Sequence, residues 1–280
     1  FFMVNLNGNL VEQETVLSQN RAFLYGDAVF ETLKVVNGKV LFMEDHYFRL
    51  MASMRIIRMQ IPMNFTLENL EQYILELADM NSCSDSCRVR FTVYRNDGGF
   101  YLPTDRNVSF LISTTTLESK SYILKEEPYE VELFKDFYIT KQLLSTIKST
   151  NKLINTVGSI FAVENGYQNC LLLNEEKNVV EALNGNLFML IGNRLITPPL
   201  SEGCLNGVMR KQILTIAKKI TEIEVTEEPI SPFDLQKADE LFITNVISGI
   251  QPITQYRKKE FESVLAKVLL EKLNEAVILL

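Results

Sequence analysis

The chain has a single histidine, His46, among its 280 residues. A serine or cysteine nucleophile activated by imidazole would have to use that one ring, and no nucleophile-elbow pattern accompanies it. Its place in Glu44-Asp45-His46-Tyr47-Phe48-Arg49 reads as the first turn of a helix, where it serves structure. Cysteine is scarce as well: Cys83, Cys87, Cys170 and Cys204 sit in ordinary core sequence and are expected to be free thiols of a reducing cytoplasm. With one histidine to complete a ligand set, Cys83 and Cys87 make no zinc site, and no metal is expected. No apolar run approaches the roughly 18 residues that a membrane span requires. The first residues lack the basic region and apolar core of a secretory signal, so neither insertion nor export is expected. Basic tracts are missing too, and a net charge of −7 with a pI near 5.0 argues against nucleic acid as a partner. Neither a glycine-rich dinucleotide fingerprint nor a Walker loop is present, which removes NAD and ATP sites.

What remains is a chain of 32.1 kDa, large enough for one big domain or two packed lobes. Hydrophobic residues at 46% and charged ones at 22% are ordinary for a globular protein. Asn7-Gly8 and Asn37-Gly38 each join short apolar runs, as hairpin turns that need positive φ do. Tyr47, Leu50, Met51, Met54 and Ile57 recur at helical spacing, and Thr66 caps a second helix with Leu67, Leu70, Ile74, Leu75 and Ala78 inward. Strands are expected at 88–95 and 108–113, which completes an N-terminal α+β lobe over residues 1–114. The polar stretch 115–120 reads as a linker, and 121–280 as a second, larger lobe. There, Leu153, Val157, Ile160 and Phe161 mark a helix, followed by antiparallel strands at 169–173, 178–183, 187–191 and 194–197. Met209, Ile213, Ile216 and Ile220 mark another helix, Leu241 to Ile243 a strand, and residues 261–279 a final helix with Val264, Val268 and Leu273 inward. The class is α+β, since the strand signals are antiparallel hairpins rather than βαβ units.

Two residues stand out chemically. Lys148, in Thr146-Ile147-Lys148-Ser149-Thr150-Asn151, sits at the edge of an apolar run, where desolvation would favour its neutral, nucleophilic form. Glu181 closes a strand in Val180-Glu181-Ala182-Leu183. A lone lysine before a helix is ordinarily a solvated residue, so this pair needs company. It comes from four motifs in order: Tyr25-Gly26-Asp27-Ala28-Val29-Phe30-Glu31-Thr32-Leu33; Glu44 to Leu50; Ile147-Lys148 with Asn151; and Val180-Glu181 through Asn186-Leu187-Phe188, followed by Leu205-Asn206-Gly207-Val208-Met209-Arg210.

With these motifs the chain resembles, over residues 5–253, the class IV aminotransferase family. This fold-type IV group of pyridoxal-phosphate enzymes includes branched-chain and D-amino-acid aminotransferases and 4-amino-4-deoxychorismate lyases. The resemblance implies a two-lobed fold like that of D-amino-acid aminotransferase. It makes Lys148 the residue that carries pyridoxal 5'-phosphate covalently and Glu181 the acid facing the pyridine nitrogen. Arg49 would bind the phosphate, together with main-chain donors of the turn that includes Val208 and Met209. Leu205 would pack on the ring, and Asn186, Asn245 and Val246 would complete the cofactor site. Glu31 can face the pocket or support its hairpin. Several relatives place a substrate arginine where Phe100 stands, so Arg95 or backbone donors would replace it, beside Phe30. The family also implies a small amino substrate and a homodimer. Lys148-Ser149-Thr150-Asn151-Lys152 and Thr244-Asn245 look more like the lyase branch, which releases pyruvate to give 4-aminobenzoate for folate. The alternatives are transamination of branched-chain or other amino acids, transamination of D-amino acids, and a lapsed enzyme kept as a binding protein.

Overall fold

The computed structural model describes residues 3–12, 19–125 and 127–279. They form two compact units, Phe1–Lys120 with Ile147–Asn151, and Ser121–Thr146 with Lys152–Leu280. The class is α+β as expected, with three sheets and six helices among the described residues. No described helix is long and apolar enough to cross a membrane.

The first unit is a six-stranded antiparallel sheet backed by two helices. Strands β1 (Val4–Leu6) and β2 (Asn9–Val11) are joined by Asn7 and Gly8 at φ 52° and 86°. Helix α1 (Arg21–Tyr25) precedes β3 (Ala28–Val36), β4 (Lys39–Val40), α2 (Met43–Ile56), α3 (Leu67–Met80), β5 (Ser86–Arg95) and β6 (Val108–Thr116). The sheet order is β2-β1-β6-β5-β3-β4. Leu33, Val35, Val89, Phe91 and Ile112 line one face and bury against Leu50, Met54, Leu70, Ile74 and Leu77 of α2 and α3. Phe91 stacks on Phe110 with ring centroids 5.1 Å apart. Thr66 caps α3 as expected, its hydroxyl accepting from the Asn69 N–H. The pentapeptide around Lys148 joins this sheet at the β3 edge. Phe30 N donates to Lys148 O at 2.8 Å and Thr150 N to Ala28 O at 3.1 Å, around a Val29–Ser149 bridge.

The second unit contains two five-stranded sheets. The first comprises β7 (Glu130–Ile139), β8 (Asn169–Asn174), β9 (Val179–Ala182), β15 (Gln255–Tyr256) and β16 (Lys259–Glu260), in the order β16-β15-β7-β8-β9. The other comprises β10 (Asn186–Ile191), β11 (Arg194–Thr197), β12 (Glu224–Glu227), β13 (Glu240–Asn245) and β14 (Gly249–Ile253), in the order β12-β11-β10-β13-β14. Val131, Leu133, Leu171 and Leu173 of one sheet share a core with Leu187, Met189, Leu241 and Ile243 of the other. Helices α4 (Leu153–Glu164), α5 (Val208–Ala217) and α6 (Val264–Ile278) complete the unit.

The helix phases need correction. In α4 the buried residues are Gly158 and Ala162, while Leu153 and Ile160 are exposed. In α6 Val264 and Val268 are exposed, and Leu265, Ala266, Leu269, Leu270 and Leu273 face inward. In both helices apolar residues fall on more than one side, so spacing alone does not choose a face. Gly158 lets α4 approach closely: a Cβ there would lie 2.5 Å from Leu183 Cδ2. Ile220 falls beyond the end of α5, and the strand expected at Leu241 to Ile243 is the middle of β13, which is followed by β14.

Gly185 joins β9 to β10 with no room for a side chain, since a Cβ would sit 2.5 Å from Ile243 Cγ2 and 2.6 Å from Thr244 O. Gly185→Ala is therefore expected to cost about 1–3 kcal/mol through overpacking. A denaturant midpoint equal to that of the parent protein would refute this.

Candidate active site

Strand β3 sends neighbouring residues to opposite faces. Phe30 turns its ring to Lys148, whose Nζ lies 4.7 Å from the ring centroid, and to Arg90, whose guanidinium carbon lies 3.8 Å from it. Arg90 shares that face because it pairs with Thr32 across β3 and β5. The amine of Lys148 is half-buried against an aromatic ring, on a backbone pinned by hydrogen bonds to Phe30 and Ala28.

Glu31 points the other way and is only 2% exposed. Its Oε1 accepts from Arg49 Nε at 2.8 Å, and its Oε2 accepts from Arg49 Nη2. Oε2 also lies 2.7 Å from His46 Nδ1. Burial pushes the Glu31 carboxyl up, but the charge and hydrogen bonds of Arg49, then those of His46, outweigh it and bring the pKa down to about 2. His46 is pushed below its ordinary value by burial and by the charges of Arg49 and Lys148, against the pull of Glu31. Facing an ionised acceptor, the neutral ring is assigned its proton on Nδ1, leaving Nε2 as a buried lone pair without a hydrogen-bond partner. Glu31 thus supports the arginine from the core side of its strand.

The first and third motifs interlock. Gly26 ends α1 at φ 62°, and the Asn151 amide donates to its carbonyl at 3.1 Å. A Cβ on Gly26 would lie 2.4 Å from Asn151 Oδ1, so with Asn151 in place residue 26 has no room for a side chain. Asp27 Oδ2 takes Arg21 Nε at 3.0 Å and Arg95 Nε at 2.9 Å. Arg95 also donates from Nη2 and Nη1 to the carbonyls of Ile57 and Arg58, at 2.8 and 3.2 Å. Phe100 is 83% exposed.

In the second unit the remaining candidates gather at the start of α5. Glu181, on β9 and 8% exposed, accepts from the Leu205 N–H at 2.8 Å through Oε2. The Leu205 carbonyl accepts from the Asn186 amide at 2.8 Å. Gly207 is the N-cap of α5 without a capping side chain, and a Cβ there would fall 1.9 Å from Asn186 Oδ1. Val208 and Met209 are buried in the first helical turn. Thr244 pairs with Asn186 across β10 and β13, so the two share a face. Asn245 Oδ1 accepts from the N–H groups of Ile247 and Ser248, each at 3.0 Å, and the Val246 carbonyl accepts from the Tyr122 hydroxyl at 3.0 Å. The hydroxyls of Thr244 and Ser248 are buried without a hydrogen-bond partner.

This donor set fits a phosphorylated aldehyde. A helix N-terminus lacking a side-chain cap and two unpartnered buried hydroxyls can satisfy phosphate oxygens. In the first unit an amine against an aromatic ring, and in the second a carboxylate held by a main-chain N–H, are each a kind of group that such a cofactor needs. From the sequence alone neither Arg90 nor the two hydroxyls are singled out, and His46 reads as a structural residue. Alternation along β5 places Arg90 on the same face as Thr92 and Tyr94, a signal available but unused.

Comparison with known proteins gives one family. Amino-transferase class IV matches residues 28–256. A Methanocaldococcus jannaschii protein, named provisionally as a branched-chain-amino-acid aminotransferase, is 28% identical over 97% of this chain and 94% of its own length. A D-alanine aminotransferase of Listeria monocytogenes is 29% identical over 90% of this chain and 86% of its own. A branched-chain aminotransferase from Thermoproteus uzoniensis, solved with norvaline, superposes with a TM-score of 0.88 at 26% identity, covering 99% of this chain and 95% of that one.

The Glu31 cluster makes stability acid-sensitive. Glu31 titrates near 4.5 when unfolded and near 2 when folded. Its contribution, on the order of 3 kcal/mol, is complete above pH 4.5 and lost as pH falls through 2. His46, depressed below 6.5, adds a loss that begins once pH drops under that value. Denaturant midpoints followed from pH 7 to pH 2 should fall in both ranges. The lower fall should disappear in Glu31→Gln, which is less stable at neutral pH; a lower fall of unchanged size in that variant would refute the assignment.

Proposed function

The chain belongs to the class IV aminotransferases, enzymes that depend on pyridoxal 5'-phosphate, and we propose that it moves an amino group from an amino acid to a 2-oxo acid. The observation that carries this reading is the shared Phe30 ring, against which lie both the Lys148 amine and the Arg90 guanidinium. An amine beside a planar cation is what a substrate bearing an amino group and a carboxylate requires. Arg90 takes the carboxylate role here in preference to Arg95, each of whose three nitrogens already donates to a partner within its own unit.

When bound, the cofactor supplies an aldehyde that captures amines and a ring that accepts electrons. Lys148 would hold the aldehyde carbon covalently, and its amine, once released, would be the base for the proton of the substrate α-carbon. Glu181, its Oε2 fixed by the Leu205 N–H, would keep the pyridine nitrogen protonated. In the first unit Arg49 would bind the phosphate; in the second, the hydroxyls of Thr244 and Ser248 and main-chain donors at Val208, Met209, Asn245 and Val246 would offer it hydrogen bonds. Leu205 would pack on the ring, and Asn186 fixes the Leu205 carbonyl. The relatives by sequence are named as aminotransferases of branched-chain amino acids and of D-alanine, which favours transamination over pyruvate elimination and makes those amino acids the first donors to try.

A second copy of the chain completes the proposal. Leu153, Ile160 and Val163 of α4, with Leu143 and Leu144 before it, leave apolar surface that a homodimer would cover. Four buried free thiols accord with a reducing, cytoplasmic setting.

The test is the visible spectrum of the enzyme with pyridoxal 5'-phosphate and one amino acid at a time, without a 2-oxo acid. Transamination requires one equivalent of 2-oxo acid per site and recovery of the starting spectrum with 2-oxoglutarate. Catalytic release of pyruvate and 4-aminobenzoate from aminodeoxychorismate would instead establish a lyase. Lys148→Ala should abolish the covalent absorbance. Glu181→Gln should lower kcat about a hundredfold while cofactor binding persists. Arg90→Leu should raise KM for the amino acid roughly tenfold or more. Full turnover in Glu181→Gln would defeat the role given to that acid.

A further inference from the structure

We propose that His46 is a positioning residue for the cofactor phosphate, acting through Glu31 on Arg49. This rests on the phosphate role given above to Arg49.

The geometry is a chain of two contacts. Arg49 turns Nε and Nη2 to the two oxygens of Glu31, so the plane of that carboxylate sets the plane of the guanidinium. A carboxylate held by a single arginine can still rock about its Cγ–Cδ bond. The His46 Nδ1–H removes that freedom by donating to Oε2 from a second direction, at 2.7 Å. Both donors come from one face of α2, three residues apart, where side chains on a helix are neighbours. The main-chain N–H of His46 donates to the Phe42 carbonyl at 3.2 Å, which fixes the residue's backbone at the start of α2, and its ring lines a small cavity with Leu33, Leu50, Leu70, Ile74 and Phe91.

The choice of side chain follows from charge. Arg49 already neutralises Glu31, and Lys148 lies close enough to disfavour another cation at His46. A lysine in this place would bring a second positive charge into a buried site. A neutral imidazole supplies one N–H and no charge. Its Nε2 lone pair has no partner, so the ring is held for the donor at Nδ1 alone. A residue present only for packing has no need to aim that nitrogen at a carboxylate.

The experiment uses full-length apoenzyme titrated with pyridoxal 5'-phosphate and, separately, with pyridoxal, which lacks the phosphate. The covalent absorbance and the melting temperature are recorded for each variant. His46→Asn presents an amide nitrogen where Nδ1 was, His46→Gln presents it where Nε2 was, and His46→Leu presents none. The preference for the phosphorylated over the unphosphorylated aldehyde should fall roughly tenfold in His46→Leu and His46→Gln, the worth of a hydrogen bond to a charged group. His46→Asn should largely restore it. If His46→Leu does not fold, the comparison of His46→Asn with His46→Gln decides.

A merely structural histidine would weaken both aldehydes equally, or lower the melting temperature and leave their ratio unchanged. Either result overturns the proposal, as does equal loss in His46→Asn and His46→Gln. The two readings fail differently. Parent enzyme that forms no absorbing adduct with either aldehyde overturns the role of Lys148 and this inference with it. Parent enzyme that forms the adduct and prefers the phosphate, with that preference intact in His46→Leu and His46→Gln, overturns this inference alone.

Discussion

An ionised carboxylate has been taken out of water at Glu31, and much of the first unit is arranged to make that tolerable. Removing such a charge from water costs several kcal/mol unless hydrogen bonds replace its hydration. Three arrive, two from Arg49 and one from His46, all from α2. The helix is thereby committed to one rotation and one height over β3. The strand is committed too, because a slip of one residue would put the Phe30 ring under the arginine and the acid beside Lys148. The aromatic contact of the amine and the buried ion pair are two faces of a single register.

The second unit holds its acid differently. The described contact of Glu181 Oε2 is a main-chain N–H, that of Leu205. A neutral donor steadies a carboxylate without cancelling its charge, which suits the role proposed above for Glu181. The turn that supplies this N–H is braced by the Asn186 amide on the Leu205 carbonyl, and it leads directly into α5. The close fit of Gly207 against Asn186 explains why a glycine precedes that helix: any side chain would displace the amide that braces the turn.

How much of this was legible depended on whether a local rule was sufficient. The hairpins at Asn7-Gly8 and Asn37-Gly38, the Thr66 cap and the inner face of α2 could be read because turn chemistry and period speak for themselves there. The faces of α4 and α6 could not, since apolar residues fall on more than one side of each helix, and in α4 the buried face is the one where Gly158 meets Leu183. Strand β12 was missed: Glu224-Val225-Thr226-Glu227 is short, polar-flanked and paired in parallel with β11, so no hairpin turn announces it. Lys148 and Glu181 stood out through the order of four motifs rather than through their own surroundings. The pairing of Glu31 with His46 and Arg49 joins residues 15 and 18 positions apart, on a strand and a helix whose relative rotation no sequence period specifies.

The Lys148 pentapeptide has a further consequence. Residues 121–146 and everything from 152 onward belong to the second unit, while the five residues between them complete the edge of β3 in the first. As the chain leaves the ribosome, the first 120 residues can assemble a sheet, but its open edge at Val29 waits for the segment that carries the lysine. The amine thus takes its place only after part of the other unit has been synthesised, and neither unit corresponds to a contiguous stretch of the gene. Recombination at residue 120 would separate the lysine from the aromatic ring that receives it.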